Sequence, residues 1–197
     1  MLKNSIDLFA KMDYYSSNAH TYTQVEAVFQ TALDLRFVLE EKMKGNEKVI
    51  ETLNALLAEE LAAINQYMVH SEMCANWGYE KLHEANEKRA MDEMRHAEKL
   101  IARIIFLEGK PIVSELAKIH LGSTVEEQLK SDEGAESEAV KMYNDAIRLA
   151  TELHDNGTRE LLEDILEDEE NHLDWLEAQL DQIARMGIQI YLGEQTH

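Results

Sequence analysis

Proline, cysteine and glycine are scarce in this chain, and so is positive charge. One cysteine, Cys74, excludes any internal disulfide and points to a reducing compartment. One proline, Pro111, and eight glycines among 197 residues leave few helix breakers, so helix is expected nearly throughout. No apolar run reaches about 18 residues, which argues against a membrane-spanning helix. The N-terminal stretch MLKNSIDLFAKMDYYSSNAH lacks the apolar core of a secretory signal. A soluble, cytoplasmic protein is the expectation. Lys and Arg number 19 against 39 Asp and Glu, a formal net charge of -20. That balance argues against a nucleic-acid partner, whose phosphates need cationic side chains. It suits a protein that draws in cations, although a solvated acidic surface reads the same way.

With 45% hydrophobic and 29% charged residues, the chain has the material for one sizeable core. Four long helical patterns carry it. The first spans residues 46–76, with Leu53, Leu57, Leu61, Ile64, Tyr67 and Met68 on one stripe. The second spans 79–108, with Ala97, Leu100, Ile104 and Leu107 on its stripe, and stops at Gly109-Lys110-Pro111. The third spans 125–154 after a Ser123-Thr124 capping signal. The fourth spans 158–185, after turn chemistry at Asp155-Asn156-Gly157, and Gly187 sets off a short tail, IQIYL. A helix of about 30 residues is roughly 45 Å long. A connector of about 14 residues reaches that far when extended. The expected architecture is all-α: a four-helix bundle of two hairpins joined by one long crossover, with a short C-terminal helix.

Three Glu-x-x-His copies lie inside the helical patterns: Glu80/His83, Glu93/His96 and Glu169/His172. The motif alone is weak in a chain this rich in glutamate, but its placement is not. Glu60 and Glu136 fall within apolar stripes, where an isolated ionised carboxylate is costly unless paired or bound to a metal. Glu60 to Glu93 is 33 positions, and so is Glu136 to Glu169. An offset of 76 maps Glu60 to Glu136, Tyr67 to Tyr143, Asp92 to Asp168 and His96 to His172. The Glu80/His83 copy has no counterpart. The midpoint of each glutamate pair falls at or within a few residues of its hairpin turn, so each hairpin delivers one Glu and one Glu-x-x-His at a common height. The result is four carboxylates and two imidazoles, enough to hold and neutralise two divalent cations. An oxygen-rich set of this kind favours iron or manganese over zinc.

The runs MKGNEKVIETLNALLAEELAAINQY, DEMRHAEKLIARIIFLEG and DEENHLDWLEAQLDQIARMGIQIYL resemble bacterioferritin, a ferritin-like family, over residues 43–192. The resemblance implies a ferritin-like bundle whose di-iron ligands are Glu60, Glu93, His96, Glu136, Glu169 and His172, with Tyr67 close by. It implies ferroxidase activity: Fe(II) is oxidised by dioxygen or peroxide, and ferric mineral is stored in a 24-subunit cage of dimers. It also implies that Met94 ligates a haem b shared between two subunits, and it admits a ferredoxin-type electron donor for iron release. Asn76, Glu108 and Asp174 match residue types lining a shell channel. On spacing, Met94 follows Glu93 and so points about 100° away from the ligand face. One departure is Lys88, where some members carry a histidine, although Asp92 remains. Residues 1–42 are the other.

The expected organisation is therefore an N-terminal extension, 1–42, and a ferritin-like di-iron domain, 43–197. The extension reads either as an amphipathic helical arm over residues 21–42 or as a mis-assigned start, with translation beginning at Met43. Leu39-Glu40-Glu41-Lys42 is encodable as a ribosome-binding purine run ahead of Met43. Mass spectrometry of protein made from its native gene context separates the two. Two other functions compete with iron storage: a discrete di-metal oxidase or peroxide-handling enzyme, and a non-catalytic structural bundle. The second has no use for six ionisable groups in its core.

Overall fold

The computed structural model describes Gln30 and residues 44–196. The chain divides into two compact units, residues 1–44 and 45–197, and all that follows concerns the second. Both readings of residues 1–42 fall outside the described residues, Gln30 excepted.

Four long helices and one short one make up this unit: α1 (Glu47–Trp77), α2 (Glu80–Phe106), α3 (Val125–Glu152), α4 (Asn156–Met186) and α5 (Ile188–Gly193). Asn46 caps α1 by accepting from the Lys48 amide at 2.9 Å, and Thr124 caps α3 by accepting from the Glu127 amide. Gly78 ends α1 at φ 83°, a left-handed conformation that glycine adopts without steric cost. α1 and α2 pack as one hairpin, α3 and α4 as the other, and the hairpins meet through α1–α3 and α2–α4. No helix among the described residues is long and apolar enough to cross a membrane.

Two apolar clusters fill the bundle. One gathers Leu53, Leu57, Leu100, Ile104, Leu162 and Ile165. The other gathers Cys74, Leu82, Leu129, Leu176, Ile183 and Tyr191. On every helix the predicted ligands lie between the residues of these two clusters, so the polar centre is walled by hydrocarbon at both ends. The tail closes one end. Tyr191 of α5 is fully buried, and its hydroxyl donates to Gln179 at 3.0 Å.

The helices break where the turn signals fall. After α2 and α3 the left-handed residues are Glu108 (φ 60°) and His154 (φ 58°), not Gly109 or Gly157. Asp155 caps α4 by accepting from the Thr158 amide at 3.1 Å, which draws Asn156 and Gly157 into the first helical turn. Gly109 is needed for closeness instead, because a Cβ there would stand 2.7 Å from Ile50 Cγ2. Met68, expected in the core stripe of α1, is exposed.

The crossover runs along α1, held by its backbone. The amides of Ile112, His120 and Gly122 donate to Asn54 Oδ1 (2.8 Å), Gln66 Oε1 (2.8 Å) and His70 Nε2 (3.2 Å). The Ala117 amide donates to the Ala58 carbonyl at 3.0 Å. Since His70 Nε2 accepts, Nδ1 is the nitrogen that donates to Asp132 of α3, at 3.0 Å. A Cβ on Gly122 would stand 2.2 Å from the Gln128 backbone nitrogen. Gly122→Ala is therefore expected to cost about 2–4 kcal/mol, because backbone rather than a flexible side chain must move. Chemical denaturation of the variant measures it, and a change under about 1 kcal/mol contradicts the clamp.

Candidate metal centre

Each of the four long helices contributes to one buried cluster midway along the bundle. Glu60 comes from α1, Glu93 and His96 from α2, Glu136 from α3, and Glu169 and His172 from α4. All six are buried, because each replaces an apolar residue in a stripe that faces the bundle axis. Two ligand groups form: Glu60, Glu93, His96 and Glu169, and then Glu93, Glu136, Glu169 and His172. Within each, the ligand atoms lie within 4.8 Å of one another. Glu93 and Glu169 belong to both, so they are placed to bridge. The imidazole rings of His96 and His172 stack with centroids 6.0 Å apart.

The electrostatics are those of a site built for positive charge. Burial and the neighbouring carboxylates hold Glu93 and Glu136 well above the usual carboxylate range, and Glu169 is pushed up to about 7. Burial alone would lower the His96 pKa. Close contacts outweigh it and raise the value: Nδ1 lies 2.9 Å from Glu169, 3.0 Å from Glu93 and 3.5 Å from Glu60. Even so, Glu93 Oε1, Glu169 Oε1 and His172 Nδ1 make no hydrogen bond. Glu169 Oε1 stands 2.9 Å from His96 Nδ1 and Glu93 Oε1 3.3 Å from His172 Nδ1, so buried ligand atoms crowd together without hydrogen bonds, an arrangement a cation would satisfy.

Two tyrosines complete the cluster from opposite hairpins. The Tyr67 hydroxyl donates to Glu136, and the Tyr143 hydroxyl donates to Glu60. Sequence reasoning singled out Tyr67 and left Tyr143 as its partner under the offset of 76, although that offset already pointed to the equivalent role. Phenylalanine at 143 strips Glu60 of its donor. We expect Tyr143→Phe to weaken cobalt binding roughly ten-fold, the low end of the range for losing a group that orients a ligand. Titration followed by the cobalt absorption bands tests this, and unchanged affinity removes Tyr143 from the site.

The pseudo-symmetry breaks outside the cluster. Asp168 Oδ2 lies 3.2 Å from His96 Nε2 and fixes that ring from behind. Its counterpart Asp92 instead pairs with Lys88 (3.2 Å) and Arg95. A narrow cavity of about 40 Å³ reaches the glutamates between α1 and α3, walled by Ala62, Ala63, Ala135 and Ala139, with Lys118 of the crossover on its lining. The third Glu-x-x-His copy stays apart. His83 bonds Ser71 Oγ at 2.8 Å, and Glu80 is exposed. Met94 also stands outside the cluster, 44% exposed on α2. Glu108 is exposed at the end of α2, while Asp174 lines a surface groove on α4.

Residues 50–186 match the family model of the ferritin-like domain. The chain is 41% identical over 152 residues to the bacterioferritin of Mycolicibacterium paratuberculosis, covering 77% of this chain and 96% of that one. It is 40% identical over 149 residues to the bacterioferritin of Brucella melitensis, with 76% and 92% covered. With that of Rhodobacter capsulatus it shares 41% over 147 residues, with 75% and 91% covered. Matches of this extent, over the same helices that assemble the carboxylate–histidine cluster, place the chain in the ferritin-like family, among the bacterioferritins.

Proposed function

We propose that this protein is an iron-storing ferroxidase. The observation that carries the reading is the pair of ligand groups sharing Glu93 and Glu169, with three buried ligand atoms lacking hydrogen bonds. Glu60, Glu93, His96, Glu136, Glu169 and His172 bind two ferrous ions as substrate, and four carboxylates balance their four charges. Each ferrous ion gives up one electron, so two reduce one dioxygen, with two protons, to hydrogen peroxide. Peroxide is equally able to accept two electrons, and its use would remove an oxidant together with free iron. Tyr67 and Tyr143 hold the terminal carboxylates by single hydrogen bonds. Asp168 keeps His96 Nδ1 turned towards the ions. The hydrocarbon clusters at either end keep bulk water from the site.

Storage requires a closed shell, and a 24-subunit cage of dimers is the assembly this reading entails. A b-type haem fits the exposed Met94 thioether: a soft ligand at the surface is free to meet its copy across a dimer interface. Haem there would supply a path for electrons to the stored mineral, with a ferredoxin-type protein as donor. Loss of the haem absorption band in Met94→Leu, with ferrous oxidation retained, is the expected result; a band that persists removes Met94 as ligand.

The deciding experiment adds ferrous iron aerobically to purified apoprotein and follows ferric absorbance, with native mass on the same sample. Oxidation above the buffer rate, with iron retained in a cage-sized particle, is expected. No rate above buffer overturns the ferroxidase reading. Oxidation by a small oligomer that releases its iron overturns storage.

A further inference from the structure

A second cavity, of about 120 Å³, lies in the groove between α2 and α4. Asn86, Lys88, Arg89 and Asp92 of α2, Trp175 of α4 and Tyr67 of α1 line it. At roughly 30 Å³ per water it has room for several waters or one small anion.

Its chemistry is the reverse of the metal centre. Arg89 Nη1 is buried and makes no hydrogen bond, while its Cζ stands 6.0 Å from the centroid of the Tyr67 ring. A buried guanidinium N–H without an acceptor is costly, and the planar fork of arginine matches the geometry of an oxyanion. Lys88 sits at the rim with its side chain 81% exposed, its Nζ 3.2 Å from Asp92 Oδ2. Asp92 is the one carboxylate on the lining, and two cations, Lys88 and Arg95, already bond it. Lys88 and Arg89 against Asp92 leave the lining with a net charge of +1 in a chain of -20. Arg89 does act at a distance on the carboxylate cluster, since its charge lowers the Glu136 pKa against the effect of burial. That influence leaves the Nη1 hydrogens unused.

We propose that the α2–α4 cavity is an oxyanion site that takes inorganic phosphate, with the Arg89 guanidinium as its main donor and Lys88 at the rim. The proposal goes beyond the ferroxidase reading and does not depend on it, because the test needs no iron. Crystals of the full chain are soaked in selenate, and the anomalous signal of selenium is mapped. One peak in the cavity, within hydrogen-bond reach of the Arg89 guanidinium, is expected. In parallel, phosphate is titrated into metal-free protein by calorimetry. Arg89→Gln is expected to weaken phosphate about ten-fold or more, the loss of one charge-assisted hydrogen bond. Arg89→Lys, which keeps the charge but not the fork, should fall between the two. It serves as the second variant should Arg89→Gln fail to fold. No selenium peak in the cavity, or phosphate affinity unchanged in both variants, overturns the proposal.

Discussion

Glu93→Gln is expected to slow aerobic ferrous oxidation by more than about 100-fold, beyond the range typical of a group that only orients a ligand. Glu93 belongs to both ligand groups, so one substitution removes a donor from each ion at once. Glutamine has the same shape, and Glu93 is buried among residues that would not need to move. Helix content and assembly should therefore survive, which separates lost chemistry from lost fold. The apoprotein should even gain stability, because a carboxylate whose charged form burial disfavours has become neutral. Stopped-flow ferric absorbance beside circular dichroism reads both effects. A near-normal rate in a folded variant would sink the idea that Glu93 bridges two ions.

The second large effect is on stability, and its sign follows from the same burial. Folding raises Glu169 from 4.5 to about 7 and raises Glu93 and Glu136 in the same direction. A carboxylic acid whose pKa is higher in the folded state favours folding while protonated. That contribution is whole below about 4.5 and is lost as pH rises through about 7. The raised His96 pKa acts in the same sense: its contribution is whole below the unfolded value of 6.5 and wanes above it. For Glu169 alone the loss is about 3 kcal/mol, at 1.36 kcal/mol per pH unit. Metal-free protein should thus melt roughly 5–10 °C lower at pH 7.5 than at pH 5. Zinc, which binds the ionised form, should reverse the order: at 1,000 times its Kd it adds about 4 kcal/mol. Calorimetric melting at the two pH values, with and without zinc, checks the sign. A metal-free protein that is more stable at pH 7.5 contradicts it.

The six ligands were legible because their spacing is redundant. Residues 33 apart across a turn, repeated at an offset of 76, specify both face and height without coordinates. Helix existence was equally legible, since a 3.6-residue period is a local property. What escaped was whatever depends on the partner across the bundle. Gln66, His70 and Asp132 look like surface residues in the sequence, yet they are buried because the crossover and α3 supply their hydrogen bonds. Met68 fits the apolar period of α1 but sits at its outer edge, which periodicity does not resolve. The breaks at Gly109 and Asp155-Asn156-Gly157 were legible, but the left-handed residues beside them, Glu108 and His154, carry no local sequence signal. At Gly109 the glycine serves proximity to Ile50. Arg89 gave no signal, because an arginine on a charged helix is unremarked until its terminal nitrogen is seen buried without an acceptor.

The hydrogen bonds between the crossover and α1 all use the crossover's own main chain: four amides donate, and the Lys110 carbonyl accepts from Asn54. Every residue type but proline carries an amide hydrogen, so most substitutions leave that fastening intact. Ile112, Val113, Leu116 and Leu121 are left exposed along the same segment. Selection on the fold and selection on the outward-facing side chains are thereby uncoupled. The constraint falls on the acceptors in α1 and on Gly122, while the crossover surface is free to diverge between lineages without loss of the bundle beneath it.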